Sequence, residues 1–315
     1  MGIRPLTALL GLFFLTSTSL AQDSSTSLAQ DSASRARNVS ALGNKFDPWT
    51  NPALGPYAPE SPGDADLGEQ RILQPASGYR PFNFSLIQHA TWTDNAALTE
   101  IDELSDWYST TELRMSYLPR IAGNTYGEIS AGYSFFRYFD HSSLDFDSLE
   151  ASLGGLHVFR DLNDLSGWLR YNHTRLLEGR GHDEIFTDHA IELGLYYPIP
   201  IAPGHFAYGA YTSEFSLDGN PGYAARHEHG VTLGYKYSPT DRIELDAYYR
   251  LFVHDYLERG RDDLLHIAGL ALTTRVTEGI DFILSASYSI NDSDAPGGDY
   301  EAGELGAILS LNVNF

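Results

Sequence analysis

Apolar and polar residues alternate over long stretches of this chain, from about residue 82 to the C-terminus. In the last stretch the apolar positions are Leu305, Ala307, Leu309, Leu311, Val313 and Phe315. A period of two residues is the pattern of a β-strand with one apolar and one polar face. The stretches exceed the roughly five or six residues that are usual in soluble sheets. They suit the roughly 9 to 11 residues of a tilted strand that crosses a membrane.

The same period and the intervening turn residues predict about twelve strands. Short links follow the even-numbered strands, whereas longer, acidic links such as NDSDAPGGDY follow the odd-numbered ones. Because a sheet can cross a bilayer only when its edges are paired, we predict an all-β, membrane-spanning antiparallel up-and-down β-barrel. An even strand count places both termini on the side of the short links. The expected strands lie near 82–93, 106–118, 126–138, 146–160, 166–177, 186–198, 204–214, 226–237, 242–256, 263–275, 279–290 and 300–315.

Aromatic residues concentrate near the expected strand ends, as in the two aromatic girdles of membrane barrels. Gly154 and Gly155 interrupt the alternation in the fourth strand, which predicts a β-bulge there. The expected girdle residues are Tyr117, Trp168, Tyr197, Tyr235 and Tyr237 near the short links and Trp92, Trp107, Tyr138, Tyr256 and Tyr288 near the long ones.

The first 80 residues follow a different pattern. Residues 1–21 combine a short apolar stretch with a small-residue cleavage site, which predicts a secretory signal peptide. A repeat of TSLAQDS offers a second cleavage site after Ala29. Residues 22–80 are rich in Ser, Ala, Pro and Asp, a composition that predicts a disordered, flexible arm. The barrel itself is expected to comprise residues 81–315. The arm is either an inert linker, which its composition favours, or a docking segment with Phe46, Trp49 and Tyr57 as its candidate contact residues.

The signal peptide, the alternating strands and the closing sequence GAILSLNVNF resemble Gram-negative outer-membrane β-barrel proteins. This resemblance covers residues 82–315 and holds at the level of the class, which includes porins, lipid-modifying enzymes and adhesins. It implies a location in the cell outer membrane, with both termini and the arm in the periplasm. It also implies that the last strand carries a signal for the barrel-assembly machinery, made by Leu309, Leu311, Val313 and Phe315.

Charge and composition narrow the function. Twenty basic against 42 acidic residues give a formal charge of -22, which argues against nucleic acid as a partner. Cysteine is absent, which excludes disulfides, thiolate metal sites and cysteine nucleophiles. Outer-membrane lipid is the expected partner, and divalent cations could bridge the acidic loop 291–299 to lipid phosphates.

Charged residues recur on the polar faces of the predicted strands and would point into the barrel. Because charges of both signs must be paired or hydrated there, they form either the wall of a pore or a hydrogen-bonded plug. The excess of carboxylates would favour cations. The predicted inward residues are Glu112, Arg114, Glu128, Arg170, Glu192, Lys236, Glu244, Asp246, Arg250, Asp281 and Glu304.

Histidines gather in the predicted outer region, at His182, His189, His227 and His229. The last two lie two residues apart and would share one strand face, a spacing that can chelate a metal. No established metal motif accompanies them. We therefore predict no metal and no cofactor.

Catalytic motifs are also lacking. Outer-membrane lipid hydrolases of similar size suggest two candidates, His141 with Ser142, and His173 with Asn172 and Thr174. No G-x-S-x-G sequence and no ordered Ser, His and acid set supports either, so no catalytic residue is predicted.

The leading hypothesis is a narrow passive channel for small solutes or ions, with a weak preference for cations. The alternative is a closed structural or interaction barrel, for example an accessory of surface polysaccharide export. A third hypothesis is a lipid-acting hydrolase.

Overall fold

The computed structural model of the protein describes residues 80–179, 183–258 and 260–315. The predicted signal peptide and all of the predicted arm except Arg80 lie outside these residues. No helix within the described ranges is long and apolar enough to cross a membrane.

The described chain forms twelve long antiparallel strands and one strand of three residues, joined by loops that include three short 3-10 turns. The twelve long strands confirm the predicted number. The strands are β1 (Phe82–Thr93), β2 (Asp106–Tyr117), β3 (Arg120–Ala122), β4 (Thr125–Tyr138), β5 (Phe146–Phe159), β6 (Leu165–Glu178), β7 (Glu184–Ala202), β8 (His205–Asn220), β9 (Arg226–Thr240), β10 (Ile243–Tyr256), β11 (Asp262–Thr277), β12 (Ile280–Ser293) and β13 (Tyr300–Asn314).

The sheet closes on itself because β1 pairs with both β2 and β13. The closing ladder runs from Asn83 opposite Asn314 to Thr93 opposite Glu304. Closure leaves the long strands without an unpaired edge, which is the condition for crossing hydrocarbon. The predicted closed antiparallel barrel is therefore confirmed.

The two ends of the barrel differ in the length of their links. The turn side carries the short links and the entry into β1, and the loop side carries the longer links such as residues 94–105 between β1 and β2. Within each strand, burial alternates between a covered inward face and a more exposed outward face. In β10, for example, Asp246, Tyr248 and Arg250 are buried, whereas Leu245 and Tyr249 are more than 40% exposed. The inward faces surround a space that we call the lumen.

Two local predictions were wrong. The sixth predicted strand was expected to end at residue 198, but the corresponding β7 continues to Ala202, because Gly204 adopts a φ of 74° and allows a tight turn to β8. The expected bulge at Gly154 and Gly155 is absent, since the ladders to β4 and β6 run through both residues without a register shift. A Cβ at Gly154 would overlap the backbone of β6, so this glycine allows close strand approach.

Seven of the ten aromatic residues predicted for the girdles lie on the outward face of the barrel. The other three, Tyr138, Tyr256 and Trp168, lie on inward faces instead. Tyr138 and Tyr256 are 6% and 3% exposed, and the indole of Trp168 bonds to an inward carboxylate. The outward seven are Trp92, Trp107, Tyr117, Tyr197, Tyr235, Tyr237 and Tyr288.

Candidate functional site

The lumen brings together the eleven charged residues singled out from the sequence. All lie on the inward faces of their strands. Their role as a pore wall or a plug stays a prediction. Buried among them are Glu112, Glu128, Asp246, Arg250, Asp281 and Glu304, and partly accessible are Arg114, Arg170, Glu192, Lys236 and Glu244.

The first ion-pair network spans β2, β4 and β5. Arg114 Nε lies 3.0 Å from Glu112 Oε1, and its Nη2 lies 2.8 Å from Glu150 Oε2. The guanidinium passes over Gly132 of β4, where a Cβ would lie 3.5 Å from Arg114 Cζ. One arginine thus joins two carboxylates that are 38 residues apart in sequence.

The second network lies beside the first, on β4 and β6 to β8. Arg170 lies 3.5 Å from Glu128 and 3.7 Å from Glu192. The side-chain amide of Asn172 donates to Glu192 (2.8 Å) and to Glu214 (2.9 Å). These contacts connect β4, β6, β7 and β8 through charged and polar side chains, of which Arg170 and Glu192 are partly accessible to water.

The third network lies on β8 to β10. Lys236 Nζ is 3.5 Å from Glu244 and 3.9 Å from Asp246. The hydroxyl of Tyr208 donates to the Asp246 carboxylate at 3.2 Å. On the remaining wall, Arg275 lies 3.9 Å from Asp281, and the hydroxyl of Tyr108 donates to Glu304 at 3.2 Å.

Three aromatic rings on inward faces lie directly over glycines of the neighbouring strand. A Cβ at each glycine would overlap the ring, so the missing side chain makes room for it. A basic group lies over each ring, between 4.7 and 5.7 Å from its centroid, within cation–π range. The rings and glycines hold these bases beside the wall. The sets are Gly194, Trp168 and Arg170; Gly234, Tyr208 and Lys236; and Gly269, Tyr248 and Arg250.

Water access differs between the two sides of the lumen. On the side formed by β2 and β5 to β10, six charged side chains of the networks are 15 to 35% exposed. On β1, β12 and β13, by contrast, inward residues of the turn-side half such as Ile87 and Ile308 are fully buried.

The loop between β1 and β2 folds into the loop-side mouth. Asn95 anchors it, because the side-chain amide donates to the carbonyls of Thr99 (2.8 Å) and Glu301 (2.9 Å). Leu98, in a left-handed conformation with a φ of 52°, packs with inward residues of β10, β11 and β13, including Tyr248 and Phe252. The loop therefore narrows the lumen at this end.

A second loop covers another part of the same mouth. Ala224, in the link between β8 and β9, is 1% exposed and packs with the inward loop-side ends of β4 to β7. Apolar side chains form this contact. The cluster comprises Phe136, Phe146, Leu176, Phe186 and Ala224.

The candidate histidine site is not assembled among the described residues. His227 and His229 share the outward face of β9, as their spacing predicted, with the ring of Phe215 packed edge-on against both. His189 stacks on His173 instead, and His182 lies outside the described residues. Across residues 80–179, 183–258 and 260–315, no three His, Cys, Asp or Glu side chains are grouped to hold a metal.

The two candidate catalytic sets also differ in geometry. His141 Nδ1 lies 3.0 Å from Asp106, whose carboxylate also accepts the backbone N–H groups of Asp140 and His141. This arrangement fixes the loop after β4. His173 and Asn172 lie on opposite faces of β6, so the second candidate set is divided between outside and lumen.

Sequence reasoning missed several inward charges, namely Glu150, Glu214 and the pair of Arg226 with Glu228. Arg226 Nη2 lies 3.3 Å from Glu228, which also lies 3.1 Å from His254 Nε2. Glu150 and Glu214 each have an apolar sequence neighbour, which was a signal that could have identified them. Glu228 lies between His227 and His229, which point outward.

No family model matches the sequence, and no curated protein matches it. Among solved structures, the chain is similar to an outer-membrane channel from Pseudomonas putida F1, with a TM-score of 0.52 and 10% identity over 74% of this chain and 96% of that one. It is also similar to the translocator domain of the autotransporter NalP from Neisseria meningitidis (TM-score 0.43, 14% identity, 75% and 88% coverage). A third similar structure is LpxR from Salmonella typhimurium (TM-score 0.42, 10% identity, 72% and 99% coverage). The similarity to the Pseudomonas putida F1 channel supports the assignment of the fold. The chain has the fold of Gram-negative outer-membrane β-barrels, as the class-level resemblance implied.

Proposed function

We propose that this protein is a narrow passive channel of the outer membrane for small solutes or ions. The observation that carries this proposal is the row of partly accessible charged side chains on one side of a closed barrel. A role in bracing the barrel explains this row poorly, because an ion pair that stays partly hydrated contributes little to stability. A row of hydrated charges instead offers successive weak contacts to a passing solute.

A weak preference for cations is the finer part of the proposal. Of the eleven predicted inward residues, seven are carboxylates and four are bases, and Glu150 and Glu214 add two more carboxylates on the same side. Three of the bases lie over aromatic rings beside the wall. A mobile cation would therefore meet a net negative lining.

Single-channel recording of the refolded full-length protein in a planar bilayer tests conduction and selectivity together. Replacing Glu244, Asp246 and Asp281 by Gln or Asn should shift the reversal potential in a salt gradient toward anions. The matched control is Asp292→Asn, which removes an outward, exposed charge from β12. A conducting protein with unchanged selectivity would contradict the assignment of these three residues to the pore wall.

Membrane orientation and assembly belong to the same proposal. Arg80 and Phe315 lie at the turn side, where Phe82 and Phe315 exchange backbone hydrogen bonds, so the first and last residues of the barrel would both face the periplasm. Leu309 and Val313 are outward and about half exposed. Together with Leu311 and Phe315 they would contact lipid after the barrel-assembly machinery has recognised the strand.

The closed interaction barrel is the second candidate function, and the apolar clusters under the two inward loops favour it. A barrel sealed at its loop side would present its acidic loops to surface polymer or to other partners. Absence of conductance in a protein of native fold would support this alternative.

A further inference from the structure

Three histidines on the outward face of the barrel have the same kind of neighbour. Each lies diagonally across a strand pair from an outward tyrosine, whose hydroxyl contacts the Nδ1 atom of the imidazole. The hydroxyl lies 2.6 Å from His266 Nδ1 and 3.4 Å from His229 Nδ1, where Ser213 Oγ adds a contact of 2.9 Å. The pairs are Tyr171 with His189, Tyr211 with His229, and Tyr249 with His266.

These contacts determine which nitrogen of each neutral imidazole carries the proton. A phenolic hydroxyl donates readily and an unprotonated imidazole nitrogen accepts well, so each hydroxyl donates to Nδ1. The ring proton then lies on Nε2. Each of the three rings therefore has one N–H donor that its tyrosine does not use, and all three rings are partly exposed on the outward face.

The three pairs lie at one height in the barrel. Each tyrosine is six residues beyond the first, turn-side residue of its strand. Each histidine lies two residues closer to the loop side than the residue opposite its tyrosine. At about 3.3 Å per residue and a strand tilt of about 40°, the histidines lie roughly 20 Å above the turn-side strand ends. For an apolar band about 25 Å tall, this height is close to the loop-side boundary, where lipid headgroups begin.

The neighbouring side of the barrel repeats this geometry with a carboxylate in place of the imidazole. Tyr288 on β12 has the same diagonal position relative to Glu301 on β13, and its hydroxyl donates to the Glu301 carboxylate. A carboxylate repels an anionic group, whereas an imidazole N–H attracts one. The three tyrosine–histidine pairs therefore make the outward surface of β6 to β11 the side that suits an anionic ligand at this height.

We propose that this surface binds the phosphate groups of membrane lipids through the Nε2 N–H groups of His189, His229 and His266. Phosphate oxygens are charged acceptors, and a hydrogen bond to a charged acceptor is about twice as strong as one between neutral groups. The lipid is the expected occupant because the donors lie on the lipid-facing side of the barrel, at the height of the headgroups. This inference goes beyond the proposed function and does not depend on conduction.

Electron spin resonance of labelled lipids tests the proposal on the refolded full-length protein in phosphatidylcholine vesicles. The fraction of label immobilised by the protein gives the association constant of spin-labelled phosphatidic acid relative to spin-labelled phosphatidylcholine. We expect the protein to prefer phosphatidic acid by at least about threefold. Replacing His189, His229 and His266 together by Phe keeps the rings but removes the donors, and should bring the ratio close to one. Tyr288→Phe is the matched control and should leave the ratio unchanged, because the partner of Tyr288 is a carboxylate.

The measurements are made with and without EDTA, because imidazoles also bind divalent cations. A preference that disappears in EDTA would assign the phosphate contact to a bound cation and overturn the proposal. The same ratio in the original protein and the triple variant would overturn it as well. If the triple variant does not fold, the three single His→Phe variants replace it, and each should lose part of the preference. Single variants that all keep the full preference would contradict the proposal.

Discussion

Replacement of Leu98 by Ala tests whether the loop between β1 and β2 closes the loop-side mouth. Leu98 is 7% exposed and is the loop's apolar contact with β10, β11 and β13. Truncating a leucine in such a cluster costs roughly 2–3 kcal/mol, toward the low end of the range for buried sites because the mouth is near water. The substitution therefore destabilises the inward position of the loop and not the barrel, because Leu98 takes no part in strand pairing.

A change of 2–3 kcal/mol alters the ratio of inward to outward loop positions by roughly 30- to 150-fold, at about 1.4 kcal/mol per factor of ten. Single-channel recording should therefore show a large rise in open probability. Ile101→Ala is the matched control, because Ile101 lies in the same loop and is 72% exposed. If Leu98→Ala conducts with the same open probability as Ile101→Ala, the loop does not gate the mouth and the reasoning fails.

Two further substitutions test the lumen. Gly234→Ala should lower the free energy of unfolding, measured by urea titration, by about 1–3 kcal/mol, because the new methyl group overlaps the ring of Tyr208. Gly209→Ala is the control and should have little effect, because the nearest atom to its new methyl group is 3.7 Å away. Equal midpoints would show that the ring moves aside freely. Glu192→Gln removes a carboxylate that binds three side chains and should reduce both stability and cation selectivity. The same change at the outward Glu301 should leave selectivity unaltered, and an identical response from both variants would exclude a specific role for the second network.

Much of the fold was predictable because strand alternation is a local property. Each residue of a strand faces opposite to its neighbour, so the period of two assigned the strands and placed charges such as Glu112 and Arg170 inward without knowledge of their partners. The strand boundaries agreed with the structure to within about three residues, except at the turn-side end of β7 and the loop-side end of β8.

Tertiary structure alone decided what these inward groups contact. Arg114 joins a carboxylate on its own strand to Glu150 on β5, which the fold places on the far side of β4. The inward position of Trp168 depends on the space above Gly194, and the inward position of Leu98 depends on apolar residues at least 150 positions away. Alternation determines which face a side chain occupies. Contacts across strands and loops determine whether that face is wet, paired or closed, because they depend on residues that only closure of the barrel brings together.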